Sequence, residues 1–227
     1  MDNSLTVKAS IEQIVERITD AVMEHRLPPG SKLAEDKLAS AFNVSRTKIR
    51  QAFILLANEG LITLHANRGA FVTSPTTEQT RDIFKTRRLI EPEIIREVTA
   101  KATAQDLARL RKHLKEEDKA RHADDRRKVI RLSGEFHLLL AELGGNQVIN
   151  KIMMELCPLT CLIIALYDGP KITACPEDEH SQIVDAIENK DPATAIKLMK
   201  RHLSHIEDEL NLDAYQKREI HWEAIYS

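Results

Sequence analysis

The nine histidines and three cysteines of this 227-residue chain are nitrogen and sulfur donors through which it could hold a metal ion. Three of the histidines stand out: His137 after Phe136, His180 after Glu179, and His202 before Leu203. Imidazole nitrogen is a common ligand of Zn²⁺ and similar ions, and three of them leave a coordination position open for water or another molecule. No two of the three are near neighbours, so periodicity alone does not show that they converge. A lone histidine on a helix face is usually a surface or satisfied core residue, the reading kept for His25, His65, His113, His122, His205 and His221. Cys157 and Cys161, at i and i+4, have the spacing of soft metal ligands, but their apolar flanks favour small core fillers. With Cys175 they are too few and too clustered for a disulfide framework, and a reducing, cytoplasmic setting is expected. The sequence offers no general base placed as in H-E-x-x-H, no phosphate-binding loop and no nucleotide-binding glycine fingerprint, so no enzyme is expected. A metal-dependent enzyme, or a direct metal sensor, using His137, His180 and His202 is the alternative.

A second set of chemical groups lies near the N-terminus. Residues 38–58 carry no acidic residue, while Arg46, Lys48 and Arg50 supply positive charge. Ile49, Ala52, Phe53 and Leu56 recur at i, i+3, i+4 and i+7, which turns Arg46, Thr47, Arg50 and Gln51 outward or to the helix start. Arginine grips guanine O6 and N7 with two bonds, worth about 1–3 kcal/mol of discrimination per good contact. Ser45, Thr47 and Lys48 suit phosphate contacts that fix register.

The elements that must position these groups divide the chain in two. Ser10 and Gln13 form a capping box before a helix carrying Ile11, Ile14, Val15, Ile18, Ala21 and Val22. Leu27-Pro28-Pro29-Gly30 stops it. A short helix with Leu38, Ala39 and Phe42 follows, then the turn Asn43-Val44-Ser45, whose serine can cap the arginine-bearing helix. Residues 61–64 and 70–73 are strand-like, with His65 to Gly69 as the turn, and Arg68 beside Gly69 can reach an adjacent minor groove. Helix, turn and helix in this order make the helix-turn-helix plan, whose second helix enters the major groove. From Thr77 onward only helical periods occur. One helix starts near Thr77 and is kinked or ended by Pro92; others are expected near 104–122, 126–143, 147–167, 177–189 and 192–211. Gly144-Gly145-Asn146 ends one, and Asp191-Pro192 caps and opens the last. In the tail, Ile220, Trp222, Ile225 and Tyr226 suggest a docking segment. The fold class is therefore mainly α: a winged helix-turn-helix with a small hairpin over residues 8–75, then an antiparallel helical bundle over 76–227.

Composition agrees. With 7 glycines and 4% aromatic residues a turn-rich all-β fold is disfavoured, and 42% hydrophobic residues are ordinary for a folded domain. A net charge of −2 excludes a uniformly basic coat without excluding a local basic patch. The uninterrupted apolar run Cys161 to Tyr167 is far short of the ~20 residues of a membrane span, and no membrane partner is expected.

The stretches Leu27-Pro28-Pro29-Gly30-Ser31-Lys32-Leu33-Ala34-Glu35, Val44-Ser45-Arg46-Thr47-Lys48-Ile49-Arg50-Gln51-Ala52, Leu56-Ala57-Asn58-Glu59-Gly60-Leu61-Ile62 and Arg68-Gly69-Ala70-Phe71-Val72 resemble the winged helix of GntR-family transcription regulators. The resemblance implies recognition-helix contacts at Ser45, Arg46, Thr47 and Arg50, and a wing glycine at Gly69. Asp36 stands where some members carry a DNA-touching arginine, and Lys48 and Gln51 stand where relatives often have Pro and Glu. Arg87-Arg88-Leu89-Ile90-Glu91, Glu135-Phe136-His137-Leu138-Leu139-Leu140, Gly145-Asn146, the run from Glu179-His180 to Ile187 and the run from Ala195 to His202-Leu203 are similar to the FCD ligand-binding domain of the FadR subfamily. That resemblance implies a polar pocket in which an Asp and three His hold a divalent metal that meets an effector's carboxylate. His137, His180 and His202 occupy the histidine positions, but the Asp position is Ser133, a poorer ligand for a divalent cation. Either three imidazoles hold Zn²⁺ or a similar ion, or the imidazoles bond the effector directly. Arg87 is the remaining candidate for an anionic effector; its plainer reading is an ion pair with Glu91. The expectation is a homodimer that binds a double-stranded DNA operator, most simply as a repressor, under the control of a small organic acid.

Overall fold

A computed structural model describes residues 9–167 and 178–212. Cys175, the expected helix start at 177 and the tail residues Ile220, Trp222, Ile225 and Tyr226 lie outside the described residues.

The chain opens with α1 (Ile11–Met23), which Ser10 caps by accepting from the Gln13 amide while the Gln13 side chain accepts from the Ser10 amide. Next come β1 (Lys32–Leu33), α2 (Glu35–Ala41) and α3 (Arg46–Asn58), then the hairpin β2 (Ile62–His65) and β3 (Gly69–Val72). The hairpin pairs Ile62 with Val72 and His65 with Gly69, and β1 adds to the far edge of β3 through Lys32–Phe71 and Leu33–Ala70. The sheet is thus three-stranded in the order β1-β3-β2, one strand more than the expected hairpin. Two residues are too few for strand alternation to be read from sequence. Gly69, at φ 95°, takes a backbone conformation that side chains disfavour, so glycine suits the hairpin turn there.

Among the described residues six helices follow: α4 (Thr77–Lys101), α5 (Ala104–His122), α6 (Arg126–Gly144), α7 (Gln147–Tyr167), α8 (Glu179–Glu188) and α9 (Pro192–Glu209). Pro92 does not end its helix; α4 runs through it, giving up only the amide bond that proline cannot make. Gly145, at φ 75°, closes α6 in the left-handed conformation, and Asp191 caps α9 by accepting from the Thr194 amide. The bundle core is built from Ile95 and Val98 of α4, Leu110 of α5, Phe136 and Leu140 of α6, Met153 of α7, Ile183 of α8 and Leu203 of α9.

Helix α7 belongs to three buried clusters at once. Met153 and Cys157 join the bundle core, Leu162 is fully buried among Ile14, Ile18, Phe53 and Leu61 of the N-terminal part, and Cys161, Ile163, Ile164 and Tyr167 pack with Met23, Phe84, Ile130 and Ile206. By length and apolarity α7 would suffice to cross a membrane, but its buried residues serve these three clusters. The joint is reinforced around it. His25 Nε2 lies 2.9 Å from the Cys161 carbonyl, Arg131 Nε lies 2.9 Å from Glu24, and the Tyr167 hydroxyl donates to the Pro75 carbonyl at 2.9 Å. Gly134 permits the close approach: a Cβ there would meet Met23 Cε at 2.8 Å and Cys161 Sγ at 3.0 Å.

Candidate functional site

Helices α6, α8 and α9 bring His137, His180 and His202 together inside the bundle, all three buried. His202 Nε2 lies 3.2 Å from Nε2 of His137 and 3.2 Å from Nε2 of His180. The opposite nitrogen of each ring faces a carboxylate. His137 Nδ1 is 2.6 Å from Glu91 Oε2, His180 Nδ1 is 3.0 Å from Glu117 Oε2, and His202 Nδ1 is 2.8 Å from Glu179 Oε2. Phe136 stacks on His180 with ring centroids 4.1 Å apart and holds that ring's plane.

Burial alone would raise the Glu91 pKa, but the Arg87 guanidinium and His137 outweigh it and hold the acid at about 2. Glu179 is held at about 2 against burial by its bonds to His202 and His205, and Glu117 also lies well below the carboxylate range against burial, through His180 and His113. Burial carries His137 down to about 3, so its ring is neutral near pH 7. Ionised carboxylates only accept, so each facing Nδ1 carries the proton and donates it. With Nδ1 so engaged, the three Nε2 atoms turn toward one another, where a neutral ring offers its lone pair to a cation or to a donor. Ring nitrogens aimed inward, with Nδ1–H held by a carboxylate, are the donor set of a carboxylate–histidine metal site.

Arg87 is wholly buried and takes its plainer partner first: Nε donates to Glu91 Oε1 at 2.5 Å, and an Nη donates to Thr160 Oγ1 of α7 at 3.1 Å. Its other Nη is buried with no protein partner among the described residues. Arg87 thus bonds Glu91, which bonds His137, while Thr160 sits one residue before the carbonyl that receives His25. Ser133 is buried on α6 one turn before His137. Cys157 and Cys161 behave as core fillers; burial pushes Cys161 up to about 12 and Cys157 higher, so neither offers a thiolate near neutral pH.

In the N-terminal part, α3 exposes Arg46, Thr47, Arg50 and Gln51, with Ile49, Ala52, Phe53 and Leu56 turned inward as the spacing required. The Ser45 hydroxyl caps α3 by accepting from the Lys48 amide at 3.3 Å. Arg46 and Arg50 both bond Glu35 at the start of α2. At the hairpin tip, the Arg68 guanidinium lies 5.6 Å from the Phe71 ring centre, beside Gly69.

The FCD domain family matches residues 82–205, and the bacterial regulatory proteins of the gntR family match residues 10–72. The chain belongs to the GntR family, with an FCD domain. This regulator is 28% identical over 196 residues to the uncharacterized HTH-type transcriptional regulator YdhC of Bacillus subtilis, covering 85% of this chain and 87% of that one. It is 27% identical over 226 residues to the transcriptional repressor NanR of Salmonella newport, covering 89% and 85%. A GntR-type regulator from Rhodococcus sp. RHA1 superposes with a TM-score of 0.79 at 26% identity, over 90% of this chain and 98% of that one. Escherichia coli McbR/YncC shares the fold, with a TM-score of 0.76 at 17% identity over 88% and 97% of the two chains. The named relatives are transcriptional regulators, and the protein is a DNA-binding regulator rather than an enzyme.

Sequence reasoning singled out the three histidines and Arg87 but not the carboxylates behind the rings. A signal existed. Leu110, Leu114, Glu117 and Ala120 form one buried stripe on α5, and Phe84, Arg87, Glu91, Ile94 and Val98 form another on α4. A charge on the apolar stripe of a helix marks a buried polar site.

Proposed function

We propose that the protein is a metabolite-controlled repressor of the FadR subfamily, working as a cytoplasmic homodimer on a palindromic operator. The observation that carries the metal in this reading is the convergence of three Nε2 atoms whose Nδ1 partners are all carboxylates. Among the described residues Glu91 is paired with the buried Arg87 guanidinium, Glu117 lies 3.6 Å from His113, and Glu179 lies 3.1 Å from His205 with Arg201 at 3.8 Å nearer the surface. Such a cage suits a dication, and His137, His180 and His202 would hold Zn²⁺ or a similar ion. The ion would supply a Lewis-acid position for the carboxylate of a small organic acid. Ser133 leaves that position without the protein carboxylate that the family resemblance implies. The Arg87 guanidinium, whose second Nη has no partner among the described residues, would be a further donor for an anion.

At the other end, Arg46 and Arg50 would read base edges and Thr47, Lys48 and Gln51 the neighbouring backbone and bases, with Ser45 fixing the helix start and Arg68 and Gly69 entering the adjacent minor groove. Residues 8–75 would form the DNA-binding head and 76–227 the sensing and dimerising body. Helix α7 would couple them, because it touches Arg87 through Thr160 and completes the head's core through Leu162. A coupling of about 1–3 kcal/mol is enough for a several-fold to ~100-fold change in operator affinity.

Elemental analysis of the purified native protein, followed by gel shifts before and after chelation, tests the reading. A stoichiometric divalent metal and DNA binding abolished in Arg46→Ala and Arg50→Ala, with folding intact, are expected. Full DNA binding by both variants would refute the assignment of α3. A protein devoid of metal that still releases DNA on adding an organic acid would refute the metal.

A further inference from the structure

Arg46 opens α3 and Arg50 follows one turn later on the same exposed face; both side chains are 61% exposed. Neither extends freely. Glu35, the first residue of α2, lies between them and is only 23% exposed. Its two oxygens accept from Arg50 Nε at 3.0 and 2.9 Å, and Oε2 also accepts from an Nη of Arg46 at 3.1 Å. The carboxylate engages Arg50 only along its Nε edge. The terminal nitrogens, which form the two-pronged grip on guanine O6 and N7, lie outside that bond.

We propose that Glu35 is a positioning residue for base recognition: its carboxylate pins the Nε edge of Arg50 and braces Arg46, fixing the direction in which both guanidinium groups leave the recognition helix. This rests on the reading of α3 as the DNA-contacting helix. A long arginine side chain loses rotamer freedom on binding, and a planar fork already held by one edge loses less. A carboxylate this close to DNA also repels phosphate, which weakens binding to every sequence alike. Glu35 therefore trades general affinity for discrimination between base pairs.

Its neighbour provides the control. Asp36 is the next residue of the same helix turn and is exposed, and among the described residues it makes no bond to either arginine. Removing its charge relieves the same phosphate repulsion without freeing Arg46 or Arg50.

The test uses full-length protein and two duplexes: one enriched by the protein from a random-sequence library, and the same duplex with the G·C pairs of its half-sites replaced by A·T. The readout is the ratio of the two dissociation constants. Glu35→Gln is expected to lower that ratio about tenfold, chiefly by tightening binding to the substituted duplex. Asp36→Ala, which removes the charge and offers no polar group to a base, should tighten both and leave the ratio unchanged, and Arg50→Ala should erase the preference. Glu35→Gln with an unchanged ratio, or Asp36→Ala with an equal loss, overturns the role of Glu35 while the DNA reading stands. Arg50→Ala with full preference, or failure to enrich any sequence, overturns the DNA reading and this inference with it.

Discussion

Replacing Glu91 by glutamine removes the charge that neutralises Arg87 while keeping the side chain's volume. Both side chains are 2% exposed, and the Glu91 oxygens serve Arg87 Nε and His137 Nδ1 separately. Once the carboxylate is gone, the guanidinium keeps Thr160 Oγ1 as its partner, and one Nη has no partner among the described residues. Breaking a buried ion pair by removing one partner costs about 3–5 kcal/mol. For a chain of this size each kcal/mol lowers Tm by about 2–4 °C, so metal-stripped Glu91→Gln should melt roughly 6–20 °C below the stripped wild type. The double variant Arg87→Met/Glu91→Leu removes both charges and should recover part of that loss, since apolar replacement of a buried pair is often neutral or stabilising, although His137 Nδ1 loses its acceptor at a cost of about 1–3 kcal/mol. The pH dependence has a definite sign. The Glu91 pKa is depressed from 4.5 to about 2 in the folded state, so its contribution is complete above pH 4.5 and is lost as pH falls toward 2. Differential scanning calorimetry of the stripped proteins is the assay. A Glu91→Gln protein melting with the wild type, or a double variant no more stable than the single, would refute the buried-pair argument.

Three further outcomes follow from the joint between head and body. Leu162→Ala, at a fully buried position in the head's core, should cost about 2–5 kcal/mol and weaken DNA binding although it lies on a body helix; thermal melts and gel shifts on one preparation check this. Gly134→Ala drives a methyl group against Met23 and Cys161, and a loss of about 1–3 kcal/mol is expected, measured by urea denaturation; an unchanged midpoint would mean the joint is slack. Burial lowers the His25 pKa below 6.5 despite its bond to the Cys161 carbonyl, so its contribution is present above 6.5 and fades as pH falls. Melting temperatures from about pH 7.5 to about pH 5.5 should fall less steeply in His25→Gln than in the wild type.

Local signals made much of this molecule legible. Ser10 with Gln13, Ser45, and Asp191 before Pro192 announce helix starts because capping satisfies amides within three residues in sequence. The inward stripe of α3 and the His65–Gly69 turn are equally local. Resemblance, rather than spacing, brought His137, His180 and His202 together on paper, and the fold brings them within hydrogen-bonding distance across three helices. What stayed hidden is long-range. Glu117 sits in the run Lys115-Glu116-Glu117-Asp118, where its charge reads as solvated surface, and only its place on the Leu110–Leu114 stripe betrays burial. Leu162 reads as one more apolar residue of α7; nothing near it in sequence says that its neighbours come from α1, α3 and β2. The Glu35 clamp escaped notice because a carboxylate opening a short helix already has a sufficient local explanation in the helix dipole.

On the function proposed above, occupancy of the histidine cage sets the grip of the head on DNA. Fluorescence anisotropy of a labelled duplex enriched by the protein itself, titrated with one preparation as purified, stripped by chelator, and reloaded with Zn²⁺, measures it most directly. The operator affinity, or its response to an added organic acid, is expected to shift at least about fivefold on stripping and to return on reloading, and His202→Ala should show no such shift. Identical titrations in all three states, with His202→Ala indistinguishable from the wild type, would contradict it.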